Sequence, residues 1–559
     1  MTLARTHAIA LVGVQGHVVE IEADIENGLV ALLLVGLPDT ALREARDRIR
    51  SAIVNSGQSW PQRRITVGLS PASLPKRGSG FDVGIALAIL AAAGSIRADW
   101  LERTVFLGEL GLDGRLRPVP GVLPAVAAAA AAGFSRVVAP QDNLAEAALV
   151  PGVQVVAPAT LAALLDWLMG LMPADAGCAV RVADAGRDVQ VADAGSAVRV
   201  AGRGSGPQLA LSRPPAGRAA GNGRAPGVPA LAAGQAAIDP QRDLADVAGQ
   251  PVARRAAEIC AAGGHHLMLT GPPGVGKTLL AERLPTIMPR LRAADALEVS
   301  AIHSVAGTLT PARPLVTVPP FCAPHHTATK AAIVGGGSGI IRPGVASLAH
   351  LGCLFLDEAP EFDRDVLDAL RQPLESGEVV IARSGLTARF PARFTLVLAA
   401  NPCPCARTAA TGTDCTCTPL VRRRYLARLS GPLLDRVDVK VELLPVSRAE
   451  LLCDRMLAES SAVVATRVLA ARERAAGRLR GTRWRLNAEI PGGELRRSFR
   501  PGPGALAPLE RAMDLGQVSA RGADRIIRLS WTMADLAGVD RPRREEVGYA
   551  LGLWLGIGQ

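Results

Sequence analysis

One segment of the chain, residues 266–278, constrains its fold more than any other. The segment reads HLMLTGPPGVGKT, an apolar stretch that ends in the phosphate-loop pattern G-x-x-x-x-G-K-[ST]. Glycine in such a loop lets the backbone turn its N–H groups toward a polyphosphate. A helix that begins at about Lys277 would direct the positive end of its dipole at the same anion. The segment therefore predicts a nucleoside triphosphate site.

The residue types in this loop predict their roles. Lys277 would reach the β- and γ-phosphates, and the Thr278 hydroxyl would ligate Mg²⁺. Only four of the 62 basic residues are lysines, so a lysine retained here indicates a role that the wider fork of arginine fills poorly. The predicted cofactors are ATP and Mg²⁺. The predicted nucleotide-binding residues are Gly271, Pro272, Pro273, Gly274, Val275, Gly276, Lys277 and Thr278.

The size and composition of the chain limit what surrounds this site. A chain of 559 residues should form about three to four domains. Although 49 % of the residues are hydrophobic, we find no apolar run long enough to span a bilayer and no features of a signal peptide. We expect a cytoplasmic protein with no membrane partner. The net charge of +11 is compatible with a nucleic-acid partner.

Positive charge is concentrated in two clusters. Between residues 467 and 500, ten arginines stand against three glutamates, with Trp484 among them. The second cluster consists of Arg422, Arg423, Arg424 and Arg428. Either cluster could contact nucleic-acid phosphates, and either could be a solvated helix face in a chain rich in arginine.

The chain divides into four segments by composition. Residues 1–171 mix short apolar strands with helical stretches, which predicts an α+β domain. Residues 172–240 are rich in Ala, Gly and Pro and contain the degenerate repeat VRVADAG, VQVADAG, VRVAGRG. Its alternating valines could pair as β-structure, but such small residues bury little, so a linker is the better interpretation. Residues 241–444 alternate strands and helices like a nucleotide-binding α/β domain, and residues 445–559 are helical.

Three polar residues follow apolar stretches downstream of the phosphate loop. Asp357 and Glu358 end the stretch CLFLDE, and Asn401 ends the stretch FTLVLAAN. Such strands carry polar side chains to the carboxyl edge of a sheet, where ligands bind. We expect Asp357 to hold Mg²⁺ through water and Glu358 to polarise the attacking water. Asn401 would position that water or sense the γ-phosphate.

An arginine finger is predicted in the stretch SGPLLDRVDVKVEL. Its Arg436 precedes a strand, and in a ring such an arginine projects into the ATP site of the neighbouring subunit. The alternative is a salt bridge with Asp435 or Asp438.

The helical tail offers a lid arginine for the phosphates. Arg521, Arg525 and Arg528 compete for this role. We prefer Arg521.

Six motifs in this order resemble those of the magnesium-chelatase-type AAA+ ATPases, and more narrowly those of the YifB/ComM competence proteins. They are GPPGVGKT, APHHTATKAAIVGGG (323–337), PGVASLAHLGCLFLDEAPEF (343–362), LRQPLESGEVVIAR (370–383), FPARFTLVLAANPCPC (390–405) and SGPLLDRVD (430–438). The resemblance covers most of the chain outside 172–240. It implies an α/β multidomain protein: a Lon-protease-like (ribosomal S5 domain 2-like) α+β domain, then an AAA+ P-loop α/β domain with a C-terminal helical lid. It also implies an ATP-driven hexameric ring that acts as a helicase on branched DNA in recombination and natural transformation.

The chain departs from this family at two places. Cys322 stands where the family commonly has an arginine. The segment that begins with Ser530-Trp531 reads SWTMADL, where the family commonly reads ARTIADL. Both changes remove a positive charge. We expect them to affect DNA grip or subunit coupling rather than nucleotide binding.

The resemblance also predicts that the N-terminal domain is not a peptidase. Matched residue by residue, the position of the Lon nucleophile falls on Gly80 and that of the Lon lysine on Leu123. Neither residue can perform the chemistry of a serine–lysine peptidase. Ser79 is one residue off, and Lys76 is expected at the surface. We therefore expect a catalytically silent domain for assembly or partner contact.

Four of the nine cysteines form the cluster Cys403-Pro-Cys405-(x9)-Cys415-Thr-Cys417. Two C-x-C pairs across a short loop can supply the four thiolates that zinc prefers. Reduced free thiols and redox pairing are the alternatives. The pair His325-His326 has no acidic or cysteine partner at ligand spacing, so we assign it a loop role.

Three other functions compete with a DNA motor. The first is the motor subunit of a magnesium chelatase. The Lon-like domain argues against this function, because such subunits generally lack that domain. The second is a protein-remodelling ATPase. The third is a scaffold that binds ATP without hydrolysing it, which Glu358 and Arg436 disfavour.

Overall fold

The computed structural model describes residues 3–36, 40–76, 78–170, 180–184, 242–337, 341–383, 386–405, 415, 417–447 and 458–557. We refer to the described parts of 3–184, 242–447 and 458–557 as the N-terminal, central and C-terminal regions. None of the helices in the described ranges combines the length and the hydropathy that a membrane crossing requires.

The N-terminal region is built on one mixed sheet. Its strands are β1 (Leu3–Val12), β2 (Gln15–Glu26), β3 (Ala31–Val35), β4 (Arg64–Ser70), β5 (Thr104–Phe106), β8 (Arg136–Val138), β9 (Gln154–Pro158) and β10 (Val180–Asp184); the small hairpin β6 (Glu109–Leu110) and β7 (Leu116–Arg117) is separate. The order in the sheet is β10-β9-β8-β5-β1-β2-β4-β3. Strand β1 pairs antiparallel with β2 and parallel with β5. The region is therefore α+β, as its sequence predicted.

Helices cover this sheet because their apolar residues need burial. They are α1 (Thr40–Asn55), α2 (Asp82–Ala92), α3 (Val122–Ala131), α4 (Leu144–Ala147) and α5 (Leu161–Leu168). Every residue of α2, DVGIALAILAA, is buried, since this helix packs across β1 and β2. The resulting core is continuous from the sheet to α1 and α5.

One copy of the valine repeat forms regular structure. Residues 180–184 pair antiparallel with β9 and become the edge strand β10. The rest of the segment 172–240 lies outside the described residues, so its role as a linker stays a prediction.

The central region alternates helices and strands. Its strands are β11 (Leu267–Thr270), β12 (Phe321–Cys322), β13 (Gly335–Gly336), β14 (Arg342–Pro343), β15 (Cys353–Leu356), β16 (Glu378–Arg383), β17 (Leu386–Pro391), β18 (Thr395–Ala400) and β19 (Val439–Glu442). Its helices are α6 (Pro251–Gly263), α7 (Lys277–Ile287), α8 (Ala293–Ala306), α9 (Lys330–Val334), α10 (Val345–Leu348), α11 (Arg364–Ala369), α12 (Arg371–Ser376), α13 (Pro419–Leu426) and α14 (Gly431–Leu434).

Five of these strands form a parallel sheet in the order β12-β15-β18-β11-β19. Strand β18 is buried along its whole length, and so is β15. This explains why both read as unbroken apolar runs. The residues after β11, β15 and β18 consequently meet at the carboxyl edge of the sheet, and the residues before β19 lie at its amino edge.

The C-terminal region consists of helices that pack on the central region. They are α15 (Ser461–Arg478), α16 (Gly492–Arg497), α17 (Ala507–Asp514), α18 (Ala520–Ala537) and α19 (Arg544–Leu555). Helix α18 contacts α15, α19 and α6. Its Ile526 and Trp531 belong to the same hydrophobic core as Ile259 and Leu269 of the central region. This shared core fixes α18 against the sheet.

A buried polar network joins the N-terminal and central regions. The Ser304 hydroxyl of α8 donates to Glu146 at 2.7 Å and accepts from the Leu123 amide at 3.3 Å. Asn143 donates to the other oxygen of Glu146 at 2.6 Å. Burial raises the pKa of the Glu146 carboxyl. Because removal of one partner leaves buried polar groups unsatisfied, this network should matter for the stability of the junction.

Replacing Ser304 by alanine is expected to lower the free energy of unfolding by about 1–3 kcal/mol, because Glu146 and the Leu123 amide each lose a partner. Denaturant titration would measure this change. Ser498→Ala is the control, since it removes an exposed hydroxyl bond to Glu494 and should cost less than about 0.5 kcal/mol. Equal effects of the two substitutions on the free energy of unfolding would contradict the stabilising role of the Ser304 network.

Candidate active site

The phosphate loop connects β11 to α7 as the sequence predicted. Gly271, Gly274 and Gly276 have φ values of 155°, 81° and 96°, a region that L-residues rarely adopt. A Cβ on Gly271 would lie 2.5 Å from the Leu443 carbonyl oxygen. Helix α7 begins at Lys277, with Gly276 as its N-cap. The backbone conformation therefore favours glycine at all three positions, and at Gly271 the space does as well. A loop of this shape fits a polyphosphate.

Lys277 lies at the base of this cradle and is buried. Its ammonium donates to the carbonyls of Gly271 and Pro272 at 2.7 and 2.9 Å, and to the Asn401 side-chain oxygen at 2.9 Å. Burial lowers the pKa of Lys277, which the carboxylates of Asp357 and Glu358 partly oppose. The contact joins two residues 124 positions apart in the chain. Lys277 and Asn401 thus belong to one site.

Thr278 and Asp357 form the second contact of the site. The Thr278 hydroxyl donates to Asp357 Oδ2 at 2.7 Å, and the Glu358 amide donates to Asp357 Oδ1 at 2.9 Å. A hydroxyl and a carboxylate at this separation are hard oxygen ligands of the kind Mg²⁺ prefers. These residues would hold the ion beside the phosphates, where it would neutralise developing charge.

Glu358 contacts His326, to which the sequence assigned a loop role without indicating this partner. His326 Nδ1 lies 3.5 Å from Glu358 Oε2, and the His325 and His326 rings are 4.1 Å apart. The backbone of Glu358 is left-handed, with a φ of 50°, a conformation that costs energy in a non-glycine residue. The pairing of β12 with β15 explains the encounter, because the loop after β12 ends at the same edge as Glu358. No spacing rule in the sequence indicated it.

A cleft of about 400 Å³ adjoins the phosphate loop. It is lined by Pro272 to Gly276 of the loop and by residues that flank it, namely Asp246, Ala248, Leu279, Pro445 and Val446. The apolar members of this set offer a surface for the base of a nucleotide. These flanking residues come from segments without a motif, so no pattern in the sequence indicated them.

Arg436 lies at the opposite edge of the sheet from the phosphate loop. It donates to Glu375 and to the Pro432 carbonyl, and its side chain is only 7 % exposed. Asp438, which accepts from the His266 amide just before β11, is paired with Arg525. Arg436 therefore pairs with Glu375, and among the described residues it forms no salt bridge with Asp435 or Asp438, the alternative considered from the sequence. The length of β11 places about 13 Å between this edge and the chain's own loop.

The candidate lid arginines lie at this same edge. Arg521 donates to Glu375 at 3.4 Å, Arg525 donates to the Arg436 carbonyl at 2.9 Å, and Arg528 donates to the Ile490 carbonyl at 2.7 Å. Arg521 thus shares a partner with Arg436 and does not lie beside Lys277. The expectation that it covers the phosphates of its own subunit finds no support in this arrangement.

The four cysteines of the C-x-C pairs meet in space. The Sγ atoms of Cys403, Cys405, Cys415 and Cys417 all lie within 4.8 Å of one another. Tetrahedral zinc with bonds of about 2.3 Å needs sulfurs about 3.8 Å apart. The donor set and its spacing therefore fit a zinc ion. Cys403 follows Asn401 closely, so the cluster lies next to the active site.

The larger arginine cluster has mostly structural partners. Arg467 pairs with Glu258 and Glu459, and Arg478 pairs with Asp535 at 2.6 Å and stacks on Trp531. Arg472 and Arg474 donate to backbone carbonyls, whereas Arg485 and Arg496 pair with aspartates. This favours a role in packing the C-terminal region. By contrast, Arg422, Arg423 and Arg424 are exposed on α13.

The departures from the family pattern are buried. Cys322 is 3 % exposed in β12, and burial raises its pKa to about 12. Ser530 and Trp531 are buried in α18, and the Trp531 indole donates to the Phe499 carbonyl at 2.8 Å. These side chains contribute to packing, so they are not surface groups that DNA could contact.

One expectation for the N-terminal region was wrong. Lys76, expected at the surface, is fully buried and donates to the Pro71 carbonyl. Desolvation of its ammonium group lowers the pKa of Lys76. Ser79 donates to Glu109 instead of facing Lys76. Leu123, at the position of the Lon lysine, is buried in the core.

Three features define a P-loop ATPase domain, on which the helical region packs. They are the phosphate loop after β11, the carboxylates after β15, and the asparagine after β18, the strand that lies between β11 and β15 in the sheet. Family models described as magnesium chelatase subunit ChlI, subunit ChlI of Mg-chelatase and the ChlI C-terminal segment match residues 243–451, 21–143 and 458–553. YifB of Salmonella typhimurium is 39 % identical over 552 residues, which cover 99 % of this chain and 97 % of YifB. The chain belongs to the magnesium-chelatase-type AAA+ ATPases, in the group of YifB and ComM.

Two other relatives have the same extent. The competence protein ComM of Haemophilus influenzae is 38 % identical over 554 residues, 99 % of this chain and 97 % of ComM. An uncharacterised protein of Mycobacterium tuberculosis is 48 % identical over 551 residues, 99 % of this chain and 98 % of that protein. Since a chelatase family model also matches residues 21–143, the N-terminal region alone does not argue against a chelatase-type function.

Proposed function

We propose that this protein is an ATP-hydrolysing ring motor that remodels branched DNA. The observation that carries the ATP-hydrolysing part of the proposal is that Lys277 contacts Asn401 and Thr278 contacts Asp357 at one edge of the sheet. The ammonium would neutralise phosphate charge, Mg²⁺ would bridge the phosphates, and Glu358 would polarise the attacking water. His326 would orient the Glu358 carboxylate.

The position of the arginines supports the proposal of a ring. Arg436 and Arg521 lie at the amino edge, across the sheet from the phosphate loop of the same chain. They can meet a nucleotide only if a second subunit presents its own loop to this edge. Such head-to-tail contacts close into rings when the rotation permits, and we propose a hexamer. Arg521 then acts across the subunit interface together with Arg436, in place of covering the phosphates of its own chain.

DNA is the proposed substrate. The name of the relative ComM places it in competence, in which cells take up DNA. The exposed arginines 422–424 on α13 follow the cysteine cluster and would contact phosphates of branched or single-stranded DNA. The role in recombination and natural transformation that we propose is branch migration.

The test is ATP turnover with single-stranded, duplex and four-way-junction DNA, combined with a branch-migration assay. Junction DNA should stimulate turnover, and Glu358→Gln should bind the junction without migrating it. Turnover that no DNA stimulates, together with no migration, would contradict the DNA function. Stimulation by a protein substrate or by a tetrapyrrole–Mg²⁺ system would instead favour a remodelling ATPase or a chelatase-type motor, the function for which the matching family models are named.

We also propose that Cys403, Cys405, Cys415 and Cys417 bind a structural zinc ion. A reducing cytoplasm, where we place this motor, keeps the thiols free for metal. The ion would brace the loop between Asn401 and the arginines of α13, so that nucleotide and DNA contacts are held in register.

Purified protein is expected to contain about one zinc per chain, and replacement of the four cysteines by serine should reduce this content to about one tenth or less. Elemental mass spectrometry measures the ratio. Cys453→Ser is the control, since this cysteine lies outside the cluster in sequence. Unchanged zinc in the fourfold variant would end the proposal.

The N-terminal region is proposed to be a catalytically silent relative of the Lon domain. Ser79 is committed to Glu109, and Gly80 and Leu123 offer neither nucleophile nor base. The burial of Leu123 against the Ser304 network supports a role in assembly.

A further inference from the structure

Four arginines gather at the amino edge of the central sheet: Arg371, Arg436, Arg521 and Arg525. Burial lowers the pKa of Arg436, and the positive charges of the other three lower it further. Two of the four have a carboxylate of their own, because Arg371 pairs with Asp368 at 2.9 Å and Arg525 pairs with Asp438. Arg436 and Arg521 do not.

These two arginines share Glu375. Both guanidinium groups donate to the same oxygen, Oε1. The Glu375 side chain is 55 % exposed, whereas that of Arg436 is 7 % exposed. Convergent guanidinium groups bind phosphate oxygens in the same way as they bind carboxylate oxygens.

The cluster has more donors than acceptors. The Nε atoms of Arg371, Arg436 and Arg525 are buried, and within the described residues they have no hydrogen-bond partner. Buried donors without a partner are uncommon, so this cluster has more donor capacity than the Glu375 carboxylate uses. An anion richer in oxygens than one carboxylate would satisfy them better.

We propose that Glu375 occupies the place of the γ-phosphate presented by the neighbouring subunit. Its carboxylate keeps Arg436 and Arg521 together in the separate chain and leaves them when the nucleotide of the next subunit arrives. This inference rests on the proposed function. Glu375 is thus a positioning residue that sets the ease with which the composite site assembles.

The exposure of Glu375 makes this exchange feasible. An ion pair with a half-exposed partner is weak and screened by solvent. A triphosphate carries more charge and more acceptor oxygens, so it would displace the carboxylate. Removing the charge of Glu375 should therefore favour assembly, since the arginines no longer have a competing partner.

The experiment is the ATPase rate of the full chain as a function of protein concentration. Glu375→Gln should lower the concentration that gives half the maximal rate by roughly three- to fivefold, with the plateau rate retained. Glu378→Gln is the matched control, because Glu378 lies three residues away and pairs with Arg389 on the exposed hairpin. It should leave the half-maximal concentration unchanged.

A merely structural Glu375 would give a lower midpoint of thermal unfolding with an unchanged or higher half-maximal concentration, and that result would overturn the inference. If the native chain hydrolyses no ATP, or if Arg436→Ala leaves turnover intact, the proposed function itself fails. If turnover depends on Arg436 but Glu375→Gln behaves like Glu378→Gln, only the role of Glu375 fails.

Discussion

Replacing Arg436 by alanine is expected to reduce ATP turnover by about 10³-fold or more, the scale of an arginine finger. The residue lies across the sheet from its own phosphate loop, so the loss should appear in kcat while the nucleotide affinity of the single chain is largely retained. Steady-state ATPase kinetics and binding of a fluorescent ATP analogue separate the two quantities.

The control for Arg436 is Arg364→Ala. Arg364 is an exposed arginine of α11 whose carboxylate partner Asp368 lies 3.8 Å away, and its loss should leave turnover unchanged. Arg436→Lys retains the charge but not the planar fork, and it should recover only part of the rate. If Arg436→Ala weakens ATP affinity by as large a factor as it lowers kcat, Arg436 acts within its own subunit or stabilises the fold.

Glu358→Gln is expected to reduce the rate of ATP hydrolysis by about 10²–10⁴-fold, because the glutamine amide cannot polarise the attacking water as the carboxylate does. ATP binding should persist, since Lys277 keeps its contact with Asn401 and Thr278 keeps its contact with Asp357. Single-turnover hydrolysis and equilibrium ATP binding measure the two effects.

Glu361→Gln is the matched control for Glu358. Glu361 lies in the same turn, three residues later, and pairs with Arg428 at 3.0 Å. It should keep nearly full activity. Equal losses in the two variants would show that the turn tolerates no change of charge, and the role of Glu358 in polarising water would be withdrawn.

The carboxyl-edge half of the site was predictable because each of its residues follows a strand or opens a helix. The glycines of the loop, the apolar stretch before Asp357 and that before Asn401 fix their places in a parallel sheet. The structure brings Lys277 to Asn401 and Thr278 to Asp357, the neighbourhood that these patterns indicated. In the same way, C-x-C spacing indicated the convergence of four sulfurs.

Arg436 and Arg521 at the amino edge were named from the sequence, but their contacts were not predictable, because they depend on segments that no short pattern links. Glu375 on α12 meets Arg521 on α18 only because α18 packs against the central core.

His326 meets Glu358 because β12 pairs with β15, and strand order cannot be read from composition. Lys76 is buried although lysine is usually exposed, since a backbone carbonyl supplies its partner.

Mixing two inactive variants tests whether each ATP site is completed by the next subunit. Glu358→Gln retains Arg436, and Arg436→Ala retains Glu358, so an intact site forms wherever the second variant's loop faces the first variant's arginines. Random head-to-tail mixing in equal amounts should restore about one quarter of the native ATPase sites. If the mixture remains as inactive as its components, although mixed rings form, the composite site is contradicted.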